Sequence, residues 1–278
     1  MSCPDCFTGS VKDGEPRGKV ITLHGLQAYA TEPVDGRMPK GIIVIIPDVF
    51  GWEFVNNRLL ADHYADRGDY KVYLPEFMAG KAAPASMIDS MRGLSHGSIF
   101  IKPYHLACVM SSFVPFILTN RISKSYPRVR AFFEKLREAE GADAKIAAAG
   151  FCWGGKHVLL MAHNVTVDVA GKPAALIDVG FTGHPSLMEI PADVSDTMTV
   201  PVSFAIGELD RNLPADKVAE IRKIVEAKPA PVTGEVVVYK GAGHGFCVRA
   251  DTTLNDVASQ ALAAEEQCIA WFNKHFGF

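Results

Sequence analysis

The stretch KIAAAGFCWGG (residues 145–155) decides how this chain is read. Its first half, residues 145–149, is small and apolar after Lys145, as expected of a strand buried on both faces of a sheet. A helical pattern follows residue 155. Between them, Gly150-Phe-Cys-Trp-Gly154 has the form Gly-x-nucleophile-x-Gly, and a strand-to-helix turn is the setting in which that form works as a nucleophile elbow. Strand and helix backbones crowd together at such a turn, so small residues must flank it; Gly150, Gly154 and Gly155 meet that need. Cys152 then sits at a helix N-terminus, where the positive dipole end favours thiolate over thiol. The backbone N–H of Trp153 points to the same spot and can stabilise an oxyanion. The competing reading is a buried, inert cysteine on a tight turn.

Outward from this stretch the chain alternates strands and helices. Residues 41–46 (GIIVII) form an unbroken run of strand formers, and further strands are predicted at 71–74, 175–179, 200–206 and 235–239. Residues 19–30 alternate loosely and read as a hairpin. Helices are predicted at 54–67, 129–139 and 214–227. A last helix carries the apolar stripe Leu254, Val257, Ala258, Ala261, Leu262, Cys268, Ile269 and Phe272. Alternation of this kind implies a mostly parallel sheet covered on both faces. With the elbow, the pattern predicts an α/β-hydrolase fold: one domain over residues 1–278. Roughly fifty residues between 74 and 145 exceed what one crossover helix needs, so an insertion around 82–126 is expected to shape a pocket or to pack as an extra helix pair.

The order of residues after Cys152 supplies the rest of a triad. In this fold an acid and then a histidine follow the nucleophile at the ends of later strands. Strand 200–206 runs into Gly-Glu-Leu-Asp, which places Asp210 on a loop. Strand 235–239 runs into Lys-Gly-Ala-Gly-His-Gly-Phe, which places His244 between glycines, where it has little packing role. Asp210 would hold the imidazole tautomer, and His244 would take the Cys152 proton or form an ion pair with its thiolate. Asp178 also ends a predicted strand, one strand too early, and ranks behind Asp210. His184, in Gly-His-Pro-Ser, could reach the site from above, and Trp153 could wall the pocket or pack in the core.

These residues carry a resemblance. Gly-Phe-Cys-Trp-Gly-Gly, Gly-Glu-Leu-Asp and Gly-Ala-Gly-His-Gly-Phe, in this order, resemble the dienelactone hydrolase (carboxymethylenebutenolidase) family. The start Met-Ser-Cys-Pro-Asp-Cys, the run from His24 to Pro33 and Pro47-Asp-Val-Phe-Gly-Trp52 are similar to its fungal and other eukaryotic members. The resemblance implies hydrolysis of a lactone or ester through an acyl-cysteine, with no cofactor and no metal. It also implies that the N–H of Val49 is a second oxyanion donor beside Trp153. In fungal relatives it suggests a specialised ester or thioester hydrolase acting on a polyketide or other secondary-metabolite intermediate. Asp48 stands where bacterial members carry a glutamate that holds the resting thiol. Val248 stands where they carry an arginine for the substrate carboxylate; Arg249 comes one later and would face another way if the segment were extended, which argues against chlorocatechol-derived dienelactone as substrate. Asp48, Phe50, Trp153, His184, Phe246 and Arg249 are the pocket candidates.

Composition excludes other classes. Charged residues make up 21% and the net charge is −3, with no Lys/Arg cluster of five, so neither nucleic acid nor an anionic membrane is an expected partner. The longest strongly apolar run, residues 106–120, is too short to span a bilayer. The N-terminus lacks a basic and an apolar leader region, and six scattered cysteines do not form a secreted framework, so a cytoplasmic protein is expected. Cys3 and Cys6 form a C-x-x-C without a surrounding βαβ unit, a weak basis for a redox protein. His96, His105, His157, His163 and His184 share no metal-ligand spacing. Monomer or homodimer stays open, as does a non-catalytic ligand-binding protein that kept the pocket.

Overall fold

The computed structural model describes residues 9–250 and 255–278. The chain forms β1 (Lys19–Leu23), β2 (Leu26–Thr31), β3 (Ile42–Ile46), β4 (Lys71–Pro75), β5 (Ile146–Phe151), β6 (Thr166–Val169), β7 (Lys172–Ala175), β8 (Val179–Gly183), β9 (Val202–Gly207) and β10 (Glu235–Tyr239). Eight of these make one sheet in the order β1-β2-β4-β3-β5-β8-β9-β10, while β6 and β7 pair as a separate hairpin. β1 and β2 are antiparallel, as are β2 and β4; every other neighbouring pair in the sheet is parallel. The architecture is the expected α/β-hydrolase fold.

Eight helices accompany the strands among the described residues: α1 (Val55–Gly68), α2 (Ser86–His96), α3 (Lys102–Asn120), α4 (Ile122–Glu140), α5 (Trp153–Met161), α6 (Ala215–Glu226), α7 (Phe246–Arg249) and α8 (Asn255–Phe276). β3 and β5 are buried along their whole length, which is why their sequences do not alternate. β5 uses Ala147, Ala148 and Ala149 where β3 uses isoleucine and valine, and a Cβ at Gly180 on β8 would lie 2.8 Å from Val158 of α5. The small residues let α5 settle close to the sheet, directly behind the elbow. Among the described residues no single helix is long and apolar enough to cross a membrane.

One strand is misplaced by the sequence reading. The run at 175–179 ends β7 at Ala175, and β8 begins only at Val179. Leu176 and Ile177 are buried loop residues, so their hydropathy reports burial and not a strand. Asp178 consequently precedes β8, where its carboxylate takes the Arg137 guanidinium (2.8 Å) and the Ile146 N–H (2.8 Å). It stands at the opposite end of the sheet from Cys152 and takes no part in the site.

The insertion resolves into α2, α3 and the start of α4, and the helix expected at 129–139 is the later part of α4. α2 and α3 form a helix pair whose outward face leaves Leu106, Met110 and Leu118 exposed, while Phe116 and Asn120 on α3 are buried. Residues 9–18 lie across the molecule as a strap. Ser10 N–H donates to the Arg249 carbonyl (3.0 Å), and Asn56 Nδ2 bridges the carbonyls of Ser10 (2.9 Å) and Val248 (3.0 Å). Cys3, Cys6 and Leu254 lie outside the described residues.

Candidate active site

Parallel strands bring their C-terminal ends to one edge of the sheet, and the loops leaving β3, β5, β8, β9 and β10 carry Asp48, Cys152, His184, Asp210 and His244 to that edge. Cys152 lies between β5 and α5 with φ 52° and ψ −113°, a left-handed conformation that a side chain adopts only when the surroundings impose it. The surroundings are tight. A Cβ on Gly154 would overlap the Ile46 carbonyl, and one on Gly150 would lie 2.5 Å from the Gly154 carbonyl. The Cys152 N–H donates to the Gly183 carbonyl at 3.1 Å, which anchors the turn to β8. The strained turn is the one an elbow requires.

His244 completes the chain. Its Nδ1 lies 2.8 Å from Asp210 Oδ2, and its ring hydrogen-bonds Cys152. Asp210 is itself fixed, because Asn212 N–H donates to its Oδ1 at 2.9 Å. Burial pulls the His244 pKa down, but the Cys152 sulfur and Asp210 outweigh it and push it up to about 10. Cys152 is 0% exposed and His244 8%, so the pair interacts in a dry setting where charge counts strongly.

Asp48 occupies the other side of the loop system, buried with Arg249, to whose guanidinium it is ion-paired. Burial raises the Asp48 pKa; Arg249 opposes that rise, and the nearby Cys152 sulfur adds to it. Asn57 Nδ2 donates to Asp48 Oδ1 (3.1 Å) and to the Gly51 carbonyl (2.9 Å), fixing the carboxylate in place. The segment 246–249 is helical, not extended, and this turn swings Arg249 inward to Asp48 and over the Phe50 ring (5.2 Å). Arg249 therefore belongs to the site interior.

His184 is fully buried with φ 39°, and its ring meets the His244 ring edge-on at 5.0 Å between centroids. Phe246 and Phe151 pack on it at 6.1 and 5.9 Å. Neither His184 nitrogen has a hydrogen-bond partner among the described residues. Burial, then His244 and Arg249, hold its pKa well below the ordinary value, so the ring is neutral. Trp153 donates its Nε1–H to the Asn120 carbonyl (3.0 Å) and packs on Phe116 and His157. His157 is buried, its pKa lowered to about 4 by burial, and it ties the Trp153 carbonyl (3.1 Å) to Ser125 (2.9 Å).

A cleft of about 510 Å³ opens beside Trp153, walled by Phe116, Ile117, Ile122, Leu187 and Met188, with Lys156 at its edge. Lys156 is neutralised by Asp193 at 2.7 Å. Among the described residues no group of three or more His, Cys, Asp or Glu could hold a metal ion.

Three residues of this arrangement escape the sequence reading: Asn57, Asn212 and Ser186, whose Oγ lies 3.6 Å from Cys152 Sγ. Asn212 carries a local signal, an Asp-x-Asn turn two residues after the acid. Ser186 lies in the Gly-His-Pro-Ser stretch, but its place beside Cys152 depends on the β5–β8 pairing. Asn57 shows no signal beyond being polar on a buried helix face, and His157, read in the sequence as no metal ligand, is a buried histidine with both ring nitrogens partnered.

A profile of the Dienelactone hydrolase family matches residues 26–276. The chain belongs to the dienelactone hydrolase family. As a dienelactone hydrolase family member it is an ester or lactone hydrolase. It is similar to the hydrolase tropI of Talaromyces stipitatus, 28% identical over 99% of this chain and 96% of that one. It is also similar to the human carboxymethylenebutenolidase homolog, 25% identical over 98% of this chain and 97% of the other. Among solved structures, the dienelactone hydrolase of Klebsiella pneumoniae superposes with a TM-score of 0.61 at 20% identity, covering 92% of this chain and 96% of that one. The metagenomic dienelactone hydrolase-like phosphotriesterase P91 gives 0.57 at 17%, with 92% and 97% covered, a likeness of fold.

Proposed function

We propose that this dienelactone hydrolase family member cleaves small lactones or esters through an acyl-cysteine intermediate, with Cys152 as nucleophile, His244 as proton carrier and Asp210 as its orienting acid. The observation that carries the reading is the buried chain Asp210–His244–Cys152 ending at a strained elbow. The imidazolium of His244 stabilises a Cys152 thiolate, which attacks the carbonyl carbon. The oxyanion is held by the N–H groups of Trp153, the first residue of α5, and Val49. As the C–O bond breaks, His244 gives its proton to the leaving alkoxide, which in a lactone stays attached to the acyl group. Neutral His244 then takes a proton from water; hydroxide adds to the thioester, the C–S bond breaks, and the product acid leaves the thiolate and imidazolium behind.

The closed Asp48–Arg249 pair supports the departure from dienelactone, because Arg249 is committed to Asp48 and not to a substrate carboxylate. A sulfur nucleophile has to stay reduced, which fits a cytoplasmic setting. The apolar cleft beside Trp153 favours a second reading, an ester or thioester with a bulky ring or acyl part, such as a polyketide-derived intermediate.

Hydrolysis of p-nitrophenyl acetate, of aromatic and longer p-nitrophenyl esters and of a dienelactone by the wild type and Cys152→Ala tests both readings. Loss of all hydrolysis in Cys152→Ala is expected, and wild-type rates in that variant refute the mechanism. A kcat/KM higher for the aromatic esters than for acetate selects the second reading.

A further inference from the structure

β8 delivers His184-Pro-Ser-Leu187, a segment that the triad does not use. Its backbone is constrained: His184 has φ 39° and Leu187 φ 59°, both left-handed. His184 N–H donates to the Ala205 carbonyl (2.8 Å), and Ser186 N–H donates to the carbonyl of Cys152 itself (3.0 Å). That second bond brings Ser186 Oγ to 3.6 Å from Cys152 Sγ, within hydrogen-bonding range for sulfur. Ser186 is 5% exposed. A hydroxyl can donate or accept, whereas a thiolate only accepts, so toward a thiolate the Ser186 O–H has to be the donor.

We propose that Ser186 is a fourth catalytic residue, its hydroxyl donating to Cys152 Sγ and sharing with His244 the task of holding the sulfur as thiolate. The inference rests on Cys152 being the nucleophile. During attack the sulfur electron pair enters the new S–C bond and the Ser186 hydrogen bond weakens. When the thioester is hydrolysed the pair returns to sulfur, and the hydroxyl stabilises the departing thiolate. The charged and titratable groups around this sulfur are His244 and Asp210 from the loops after β10 and β9, Asp48 after β3, Arg249 on α7 and neutral His184. Lys156, one turn along α5, is taken up by Asp193.

The test is the pH profile of iodoacetamide alkylation at Cys152, followed by peptide mass spectrometry, in wild type, Ser186→Ala, Ser186→Gly and Ser186→Thr. Removing one donor to an ionised sulfur moves the acid limb of the profile to higher pH by roughly one unit. The shift is expected in Ser186→Ala and Ser186→Gly, so the result does not hinge on the folding of one variant, and Ser186→Thr restores the wild-type limb. An unmoved limb in the folded Ala or Gly variant overturns the role of Ser186, as does an equal shift in Ser186→Thr; either leaves the nucleophile assignment standing. Hydrolysis that survives in Cys152→Ala overturns the nucleophile and this inference together.

Discussion

At the scale of single residues, Cys152, Asp210 and His244 were legible because each stands at a strand end within a short glycine-marked motif. The interactions that tune them were less so: Arg249 was a pocket candidate, but its turn inward to Asp48 depends on α7 being helical, and Asn57 and Ser186 meet the site only through the tertiary fold. Asp210→Asn tests the tuning. Burial opposes the cationic His244, and Cys152 and Asp210 together raise its pKa to about 10, so in the proposed mechanism the cationic partner of the thiolate is lost as pH rises through that value. Replacing the carboxylate lowers the His244 pKa. The basic limb of the kcat/KM profile is then expected to move to lower pH, and kcat to fall by about 10²–10⁴. Asp48→Asn probes the neighbouring pair. It leaves the Arg249 guanidinium buried without its counter-charge, an expected stability loss of about 3–5 kcal/mol in urea unfolding.

At the scale of elements, most strand and helix positions followed from hydrophobic pattern, and the exception is instructive. Leu176 and Ile177 are apolar because they are buried in the loop before β8, while the true strand starts at Val179 and contains Gly180 and Gly183, which an apolar-run criterion passes over. The insertion was recognisable as surplus length, but α3 takes its place from contacts of Phe116 and Asn120 with Trp153 that no local pattern encodes, and α2 packs on α3. Phe116 on α3 is buried against Trp153 and walls the apolar cleft. Phe116→Ala is expected to cost about 3–5 kcal/mol of stability. It should also enlarge the cleft, so that kcat/KM for a naphthyl ester rises relative to acetate by roughly tenfold, or about 1.4 kcal/mol of differential binding. Thermal melts and paired ester assays read the two effects separately.

At the scale of the whole molecule, α8 closes the fold by packing on α1 through Glu265, which meets His63 (3.0 Å) and Arg67 (2.6 Å). Burial pushes the Glu265 carboxyl up, but its hydrogen bonds and attraction to His63 and Arg67 prevail and hold it below its ordinary value. A carboxylate depressed on folding adds stability above its unfolded pKa of about 4.3, and that stability fades as pH falls through the folded value. Glu265→Gln is therefore expected to cost about 1–3 kcal/mol at pH ~7 and almost nothing in strong acid, a difference that urea midpoints at the two pH values would show.

The strap of residues 9–18 gives the molecule a remote observer of its own centre. The Ser10 amide hydrogen is lodged on the carbonyl of Arg249, whose side chain in turn holds Asp48. That amide can exchange with deuterium only when the strap lifts from α7, so its protection factor measures how often the loop behind the site opens. Slow exchange at Ser10 would mean a loop that stays seated through many turnovers. Faster exchange on adding substrate would mean that the chain loosens its outer fastening each time the site is occupied.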